Sequence, residues 1–308
     1  MTTSLPATMT AVRLLTDAGA DGISVDEVDV PAPGPGEALV AVHAAALTRD
    51  ELTWPVDRLP AVPSYELSGV VAVVGDGGDP SLVGQAVVAL TPFDRDGVAR
   101  EYAPVPVDLL APWPAGVDDV HAAAIPLPGL SAWQALFDHG GLDKGNRVLV
   151  LGAAGGVGQL AVQLAALHGA HVIATASARS RELAVELGAA EVLDASAEAV
   201  DGIEPVDLVM DTVGGELVAR ASVRIRPGGR LVSVATEPPA PADPSVTAVF
   251  FVVEPRAEQL AELVRLAAGG QLRAAVDSTF PLGAARAAFE RVQEPGKHGK
   301  VVLAVRDA

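Results

Sequence analysis

Residues 148–158, Val-Leu-Val-Leu-Gly-Ala-Ala-Gly-Gly-Val-Gly, constrain the fold more than any other stretch of the chain. Four consecutive apolar residues have the continuity of a strand buried on both faces, as in a parallel sheet, and they break into a glycine turn. Gln159 to His168 then reads as helix. A helix start offers unpaired N–H groups and partial positive charge to an anion. Gly155, Gly156 and Gly158, with Val157 between them, let a pyrophosphate reach the main chain, which side chains there would obstruct. The turn is expected to bind a dinucleotide. Its spacing is Gly-x-x-Gly-x-x-Gly (Gly152, Gly155, Gly158), with Ala153 standing where the first glycine of Gly-x-Gly-x-x-Gly belongs.

A parallel α/β rhythm follows the turn. His171–Thr175 reads as strand, Ser180–Leu187 as helix and Val206–Asp211 as strand, with a further strand at Arg230–Ala235 after a Pro227-Gly228-Gly229 turn. Ahead of the turn the pattern changes to short β-branched segments split by Gly, Pro and Asp: Met9–Leu14, Glu37–Ala45, Gly69–Val74 and Gln85–Leu90. These predict an antiparallel, barrel-like β domain. After a helix at residues 255–269, strands at Leu272–Phe280 and Lys300–Val305 flank a helix at Leu282–Val292. Those last elements are too few for a domain and are expected to rejoin the first one. The expected organisation is therefore 1–127, the nucleotide unit 128–270, and the return segment 271–308.

Composition narrows the function classes. The 308 residues carry a net charge of −18, which disfavours nucleic acid or an anionic membrane as partner. No cysteine is present, so disulfides, thiolate nucleophiles and Cys-containing zinc sites are excluded. His43, His121, His139, His168, His171 and His298 show no ligand spacing and read as surface or hydrogen-bonded groups. No leader pattern opens the chain and no apolar run is long enough to span a membrane, so a cytoplasmic protein is expected.

Cofactor preference follows from residues beyond the turn. An NAD-preferring fold places a carboxylate about 20 residues on, for the ribose 2′-hydroxyl. The chain has Thr175-Ala-Ser-Ala-Arg179 there, so Thr175, Ser177 and Arg179 offer hydroxyls and a guanidinium to a 2′-phosphate. NADPH is the expected cofactor. The competing assignment makes Ser177 a helix cap and Arg179 a solvated first-turn residue.

Taken in order, Pro31-Ala-Pro-Gly-Pro-Gly-Glu37, Pro63-Ser-Tyr-Glu-Leu-Ser-Gly69, Pro126-Leu-Pro-Gly-Leu-Ser-Ala-Trp-Gln-Ala-Leu136, the glycine turn, Asp211-Thr-Val-Gly-Gly215 and Gly299-Lys-Val-Val-Leu303 resemble the medium-chain dehydrogenase/reductase superfamily. The resemblance is to its zinc-independent, NADPH:quinone oxidoreductase-like members and covers nearly the whole chain. It implies an α/β fold in which a Rossmann-type doubly wound parallel sheet is inserted into a GroES-like β-barrel catalytic domain. The position usually held by a zinc-binding His is Tyr65, which with the missing cysteines implies no metal.

The resemblance further implies that Ser131 lies near the nicotinamide, Gly214 beside its ribose, Phe250, Phe251 and Val252 at its carboxamide, and that Val213, Ala235 and Thr236 also bind the cofactor. Lys300 falls in a stretch that approaches the cofactor phosphate in relatives, and His298 replaces a common Arg. Thr48 and Glu51 stand at the Asn and Asp of a Val-Asn-Pro-x-Asp pattern; with Trp54, Tyr65 and Phe93, Thr48 is a candidate for the substrate cleft. Ala248–Val253 reads as an edge strand that would pair in a homodimer. The expected activity is hydride transfer from NADPH to a small-molecule acceptor, a quinone or an α,β-unsaturated carbonyl. A free-standing biosynthetic enoyl reductase and a non-catalytic NADPH sensor are the alternatives.

Overall fold

The structure, a computed structural model, describes residues 5–54, 58–114 and 118–306. Residues 1–4, part of the stretch read for a leader, lie outside the described residues. The chain divides into two compact units: Met1–Leu127 with Pro255–Ala268 and Ala274–Ala308, and Pro128–Glu254 with Gly269–Arg273.

The first unit opens with β1 (Thr8–Leu14) and β2 (Ile23–Asp29), an antiparallel pair. Then come β3 (Glu37–Leu47), β4 (Glu66–Val74), β5 (Ala86–Leu90), β6 (Tyr102–Pro106) and the short β7 (Ala111–Pro112). The long strand β3 is buried on both faces. Ala38, Val40 and Val42 join a core with Leu67, Val71, Val87 and Val105, while Leu39 packs with Met9 and Tyr102 on the other side. Irregularities in the β3–β4 register, between Leu39 and Val40 and again between Val42 and Ala44, bend the sheet as barrel closure requires. The helix α1 (Asp119–Ala123, capped by the Asp118 carboxylate) follows, and α2 (Pro126–Trp133) starts in this unit, with its residues from Pro128 on belonging to the second.

The second unit is a six-stranded parallel sheet in the order β10-β9-β8-β11-β12-β13. Its strands are β8 (Arg147–Leu151), β9 (His171–Ala176), β10 (Glu191–Asp194), β11 (Val206–Asp211), β12 (Ile225–Ser233) and β13 (Thr247–Phe250). Between them run α3 (Gly156–Leu167), α4 (Arg181–Glu186) and α5 (Gly215–Ser222). Leu149, Leu151, Ile173, Val209 and Leu231 fill one core of this sheet. The Pro227-Gly228-Gly229 segment, expected as a turn, lies inside β12, where the pairing with β11 shifts register between Val206 and Leu208. The two glycines allow the strand to bulge without ending.

The chain then supplies α6 (Ala257–Ala268), β14 (Val276–Pro281), α7 (Ala285–Gln293) and β15 (Lys300–Ala304). These complete the first unit's seven-stranded sheet, β14-β15-β3-β4-β5-β7, with β6 also paired to β3. The sequence places α6 with the nucleotide unit, but it packs on β7 and belongs to the first. Leu282, Phe289, Val301 and Leu303 bury against Val12 and Leu47, so sequence-distant segments share one core. The architecture is mixed α/β, a parallel doubly wound sheet and a GroES-like β unit. No helix among the described residues is long and apolar enough to cross a membrane.

Candidate active site

In the second unit the strand order reverses between β8 and β11, and the loops leaving their carboxyl ends form the crevice in which parallel sheets bind ligands. Gly152 ends β8 at φ +83°, and a Cβ there would stand 2.7 Å from both Thr212 Oγ1 and Val213 Cγ2. Gly158 lets α3 approach the turn, since its Cβ would meet the Gly152 carbonyl oxygen at 2.1 Å. Gly155 is different: it is exposed, has an ordinary φ of −72°, and its Cβ would find nothing closer than 3.4 Å. The first α3 bond back along the helix runs from Gln159 N–H to Gly155 C=O. The N–H groups of Gly156, Val157 and Gly158 therefore lie in the first turn, without helical acceptors. Such donors beside an exposed glycine fit a pyrophosphate.

The end of β9 is more varied than the sequence suggested. Thr175 is buried and its hydroxyl accepts from Gly152 N–H at 3.0 Å, while its carbonyl accepts from Ala153 N–H. Thr175 thus pins the glycine turn instead of presenting its side chain outward. Ser177 is exposed and its hydroxyl meets that of Ser180 at 3.0 Å, with no side-chain cap of the following turn. Arg179 is exposed and makes no ion pair or hydrogen bond among the described residues.

A network that sequence reading missed organises the opposite bank. Asp211, fully buried at the end of β11, accepts through Oδ1 from Val213 N–H (2.9 Å) and Gly214 N–H (2.8 Å). Its Oδ2 accepts from the Ser233 hydroxyl at 2.7 Å, and Ser233 Oγ accepts in turn from Ala235 N–H and Thr236 N–H. One carboxylate therefore fixes the two loops, Val213–Gly214 and Ala235–Thr236, expected to bind the cofactor. Gly214 (φ +77°, ψ −163°) occupies a backbone region open in practice only to glycine. On the next strand, Phe251 N–H donates to Ser233 C=O, Phe250 and Val252 are exposed at the sheet edge, and the His139 ring lies 4.4 Å from that of Phe251. Ser131 is buried on α2.

In the first unit three of the named cleft residues meet. The ring centroids of Trp54, Tyr65 and Phe93 are 6.0 Å (Trp54–Tyr65), 5.2 Å (Trp54–Phe93) and 5.0 Å (Tyr65–Phe93) apart, mostly edge to face. Ser64, at φ +65°, turns the chain into this cluster and is held by its hydroxyl on Ala46 C=O. Buried beside it, Glu51 accepts from Thr48 N–H at 2.8 Å and from Ser64 N–H at 3.0 Å, tying the Thr48 and Tyr65 segments together. Burial pushes the Glu51 carboxyl up to about 7, against the pull of those N–H groups and of Lys300.

Glu66, fully buried, lies 2.7 Å from the Lys300 ammonium and accepts from Leu127 N–H. Burial pushes its carboxyl up, and Lys300 pulls it back. Lys300, expected at a cofactor phosphate, is itself buried, with its ammonium held by Glu66 and bonded to Thr48 Oγ1 at 3.2 Å.

The donor set does not fit a zinc centre. The sequence has no cysteine, and no group of three His, Asp or Glu suited to a metal occurs among the described residues. His43, His121 and His171 are bonded to Asp119, Asp118 and Glu191 respectively.

The profile of the alcohol dehydrogenase GroES-like domain matches residues 34–115, and that of a zinc-binding dehydrogenase matches residues 187–303. A probable zinc-binding oxidoreductase, mitochondrial, of Arthroderma benhamiae is 33% identical over 98% of this chain and 98% of its own length. A chloroplast envelope quinone oxidoreductase homolog of Arabidopsis thaliana is 30% identical over 92% and 94%. The solved quinone oxidoreductase of Coxiella burnetii superposes with a TM-score of 0.89 at 27% identity, covering 97% of this chain and all of that one.

Proposed function

The chain belongs to the medium-chain dehydrogenase/reductase superfamily, in its zinc-independent, quinone oxidoreductase-like group, and from that premise we propose that this oxidoreductase reduces a quinone or an α,β-unsaturated carbonyl with NADPH and without a metal. The family binds a nicotinamide cofactor; the preference for NADPH is carried by the end of β9, where residues 175–179 include no carboxylate and the exposed Arg179 guanidinium has no partner among the described residues. A free, exposed guanidinium suits a 2′-phosphate, which it can bind through two parallel hydrogen bonds.

NADPH, when bound, supplies a hydride to the acceptor carbon. The chain's own residues hold and orient. The first turn of α3 and the backbone at Gly155 bind the pyrophosphate, and Ser177 with Arg179 binds the 2′-phosphate. Asp211 and Ser233 hold Val213–Gly214 and Ala235–Thr236 at the nicotinamide ribose. Phe250 and Val252 offer backbone groups to the carboxamide; the Phe251 N–H is already given to Ser233. Trp54, Tyr65 and Phe93 form the apolar wall for a flat acceptor, which needs little activation because it delocalises incoming charge onto oxygen. The exposed edge at β13 pairs with its copy in a homodimer.

The test is steady-state oxidation of NADPH and of NADH against a panel of quinones and enones, before and after extensive chelation. Turnover with NADPH that survives chelation is expected. Tight NADPH binding with no turnover on any acceptor would make the chain a sensor, and activity lost on chelation and restored by zinc alone would overturn the metal-free reading.

A further inference from the structure

We propose that the buried Lys300–Glu66 pair is a positioning device for the Thr48 hydroxyl, which it sets as the hydrogen-bond donor to the acceptor oxygen during reduction. This rests on the oxidoreductase reading above. The geometry behind it lies wholly within the first unit. Lys300 Nζ is 2.7 Å from Glu66 Oε1 and 3.2 Å from Thr48 Oγ1, and both members of the ion pair are buried. Glu66 is itself fixed by Leu127 N–H at 2.8 Å, so the ammonium has a rigid anchor.

An ammonium has three donors and no acceptor, so in the contact with Thr48 the hydroxyl oxygen must accept. The Thr48 proton is thereby turned away from Lys300, and the hydroxyl makes no other hydrogen bond among the described residues. Accepting from a cation also makes that O–H a stronger donor to a third group. The backbone is held as well, because Thr48 N–H donates to Glu51 at 2.8 Å. Thr48 is half-exposed while everything that restrains it is buried. Stability gives no reason for the pair, since buried ion pairs are commonly no better than apolar residues of the same size. A buried cation that gives one of its donors to a partly exposed hydroxyl has a reason if that hydroxyl must point one way.

When the acceptor is reduced, the hydride adds to carbon, the displaced π electron pair moves to the carbonyl oxygen, and Thr48 hydrogen-bonds that oxygen without losing its proton. Water then protonates it.

Thr48→Val removes the donor and Thr48→Ser keeps it. Lys300→Met alone strands a buried carboxyl, so the pair variant Lys300→Met/Glu66→Gln is the informative one, with a thermal melt beside it. Three readouts are taken: kcat with the best acceptor, NADPH affinity by fluorescence titration, and affinity for 4-nitrophenolate in the presence of NADP⁺, a stable mimic of the oxygen that gains charge. Thr48→Val should lower kcat about 100-fold, the scale for removing one preorganised donor. The pair variant should lower it about tenfold, NADPH affinity should stay within about twofold, and adding the pair change to Thr48→Val should cost nothing further. Phenolate affinity should fall in the same variants, and Thr48→Ser should keep both activities.

Losses that multiply in the combined variant, an NADPH affinity that falls with Lys300, or unchanged kcat and phenolate affinity in a normally melting variant would each overturn the proposal. A wild-type protein that turns over no acceptor yet binds phenolate in a Thr48- and Lys300-dependent way would refute the oxidoreductase reading and leave this geometry standing.

Discussion

Gly155 and Gly158 separate cofactor binding from folding. A methyl at Gly155 meets nothing nearer than 3.4 Å, and its φ of −72° and ψ of 170° are ordinary for alanine. Losing glycine's freedom in the unfolded chain stabilises by about 0.4–1 kcal/mol, and losing a glycine cap costs a comparable amount, so the melting temperature should move by no more than about 2–4 °C. The same methyl stands where a pyrophosphate would lie against the main chain. Displacing one charge-assisted hydrogen bond costs about 1.5–3 kcal/mol, or about a 10- to 150-fold loss of affinity.

At Gly158 the methyl would sit 2.1 Å from a backbone oxygen and 2.8 Å from its carbon. The helix must then withdraw by about 1 Å, so Gly158→Ala should lose about 1–3 kcal/mol of stability as well as affinity. NADPH titration by fluorescence, run beside thermal melts of both variants, reads the two effects apart. If Gly155→Ala melts normally and still binds NADPH within about twofold of wild type, the turn does not cradle the pyrophosphate and the reasoning collapses.

Arg179→Ala should weaken NADPH about tenfold and leave NADH unchanged, the salt dependence of NADPH binding falling with it; equal effects on both cofactors would make the arginine structural. Asp211→Asn should lower stability by about 1–3 kcal/mol and cofactor affinity with it, because the amide turns a second donor toward Ser233; an unchanged melt and titration would show that the network does not set the loops. The folded Glu51 pKa of about 7 lies above the ordinary 4.5, so the folded state holds that proton more tightly. Its contribution is full below the unfolded pKa and is lost as pH rises through 7, by up to about 3 kcal/mol. Denaturant titrations of wild type and Glu51→Gln across this range should therefore show a shallower decline in the variant, and parallel curves would contradict the burial argument. Light scattering at micromolar concentration should give a dimer that Phe250→Asp dissociates; a wild-type monomer would remove the pairing of β13.

What the sequence made legible was local. The β8 run, the glycine turn and α3 are contiguous, and their pattern names both the fold class and the ligand chemistry. Trp54, Tyr65 and Phe93 were each named as wall candidates, but their mutual contact depends on the conformation of Ser64 and could not be read from spacing. Spacing from the turn puts Thr175 at the ribose, whereas the end of β9 lies beside the turn and the Thr175 hydroxyl serves Gly152. Asp211 and Ser233 sit on neighbouring parallel strands, joined by an intervening helix, so no short motif links them. Lys300 and Thr48 are 252 positions apart and meet only because β15 and β3 pair. Short strands such as β7 and β10 leave too few alternations to register.

The pairing of β15 with β3 also sets an order of events during synthesis. Pro128–Glu254, which makes up nearly all of the second unit, emerges as one unbroken stretch and can condense as soon as it leaves the ribosome. The apolar end of β3, Ala44–Leu47, must wait for Val301–Ala304, and the core around Val12 and Leu47 waits with it for Phe289 and Leu303. For most of translation the first unit is an open sheet with a sticky edge, exposed to misassembly in proportion to that delay. Loss of the last strand should therefore cost more than its few residues suggest, and the damage should fall on the amino-terminal half of the chain.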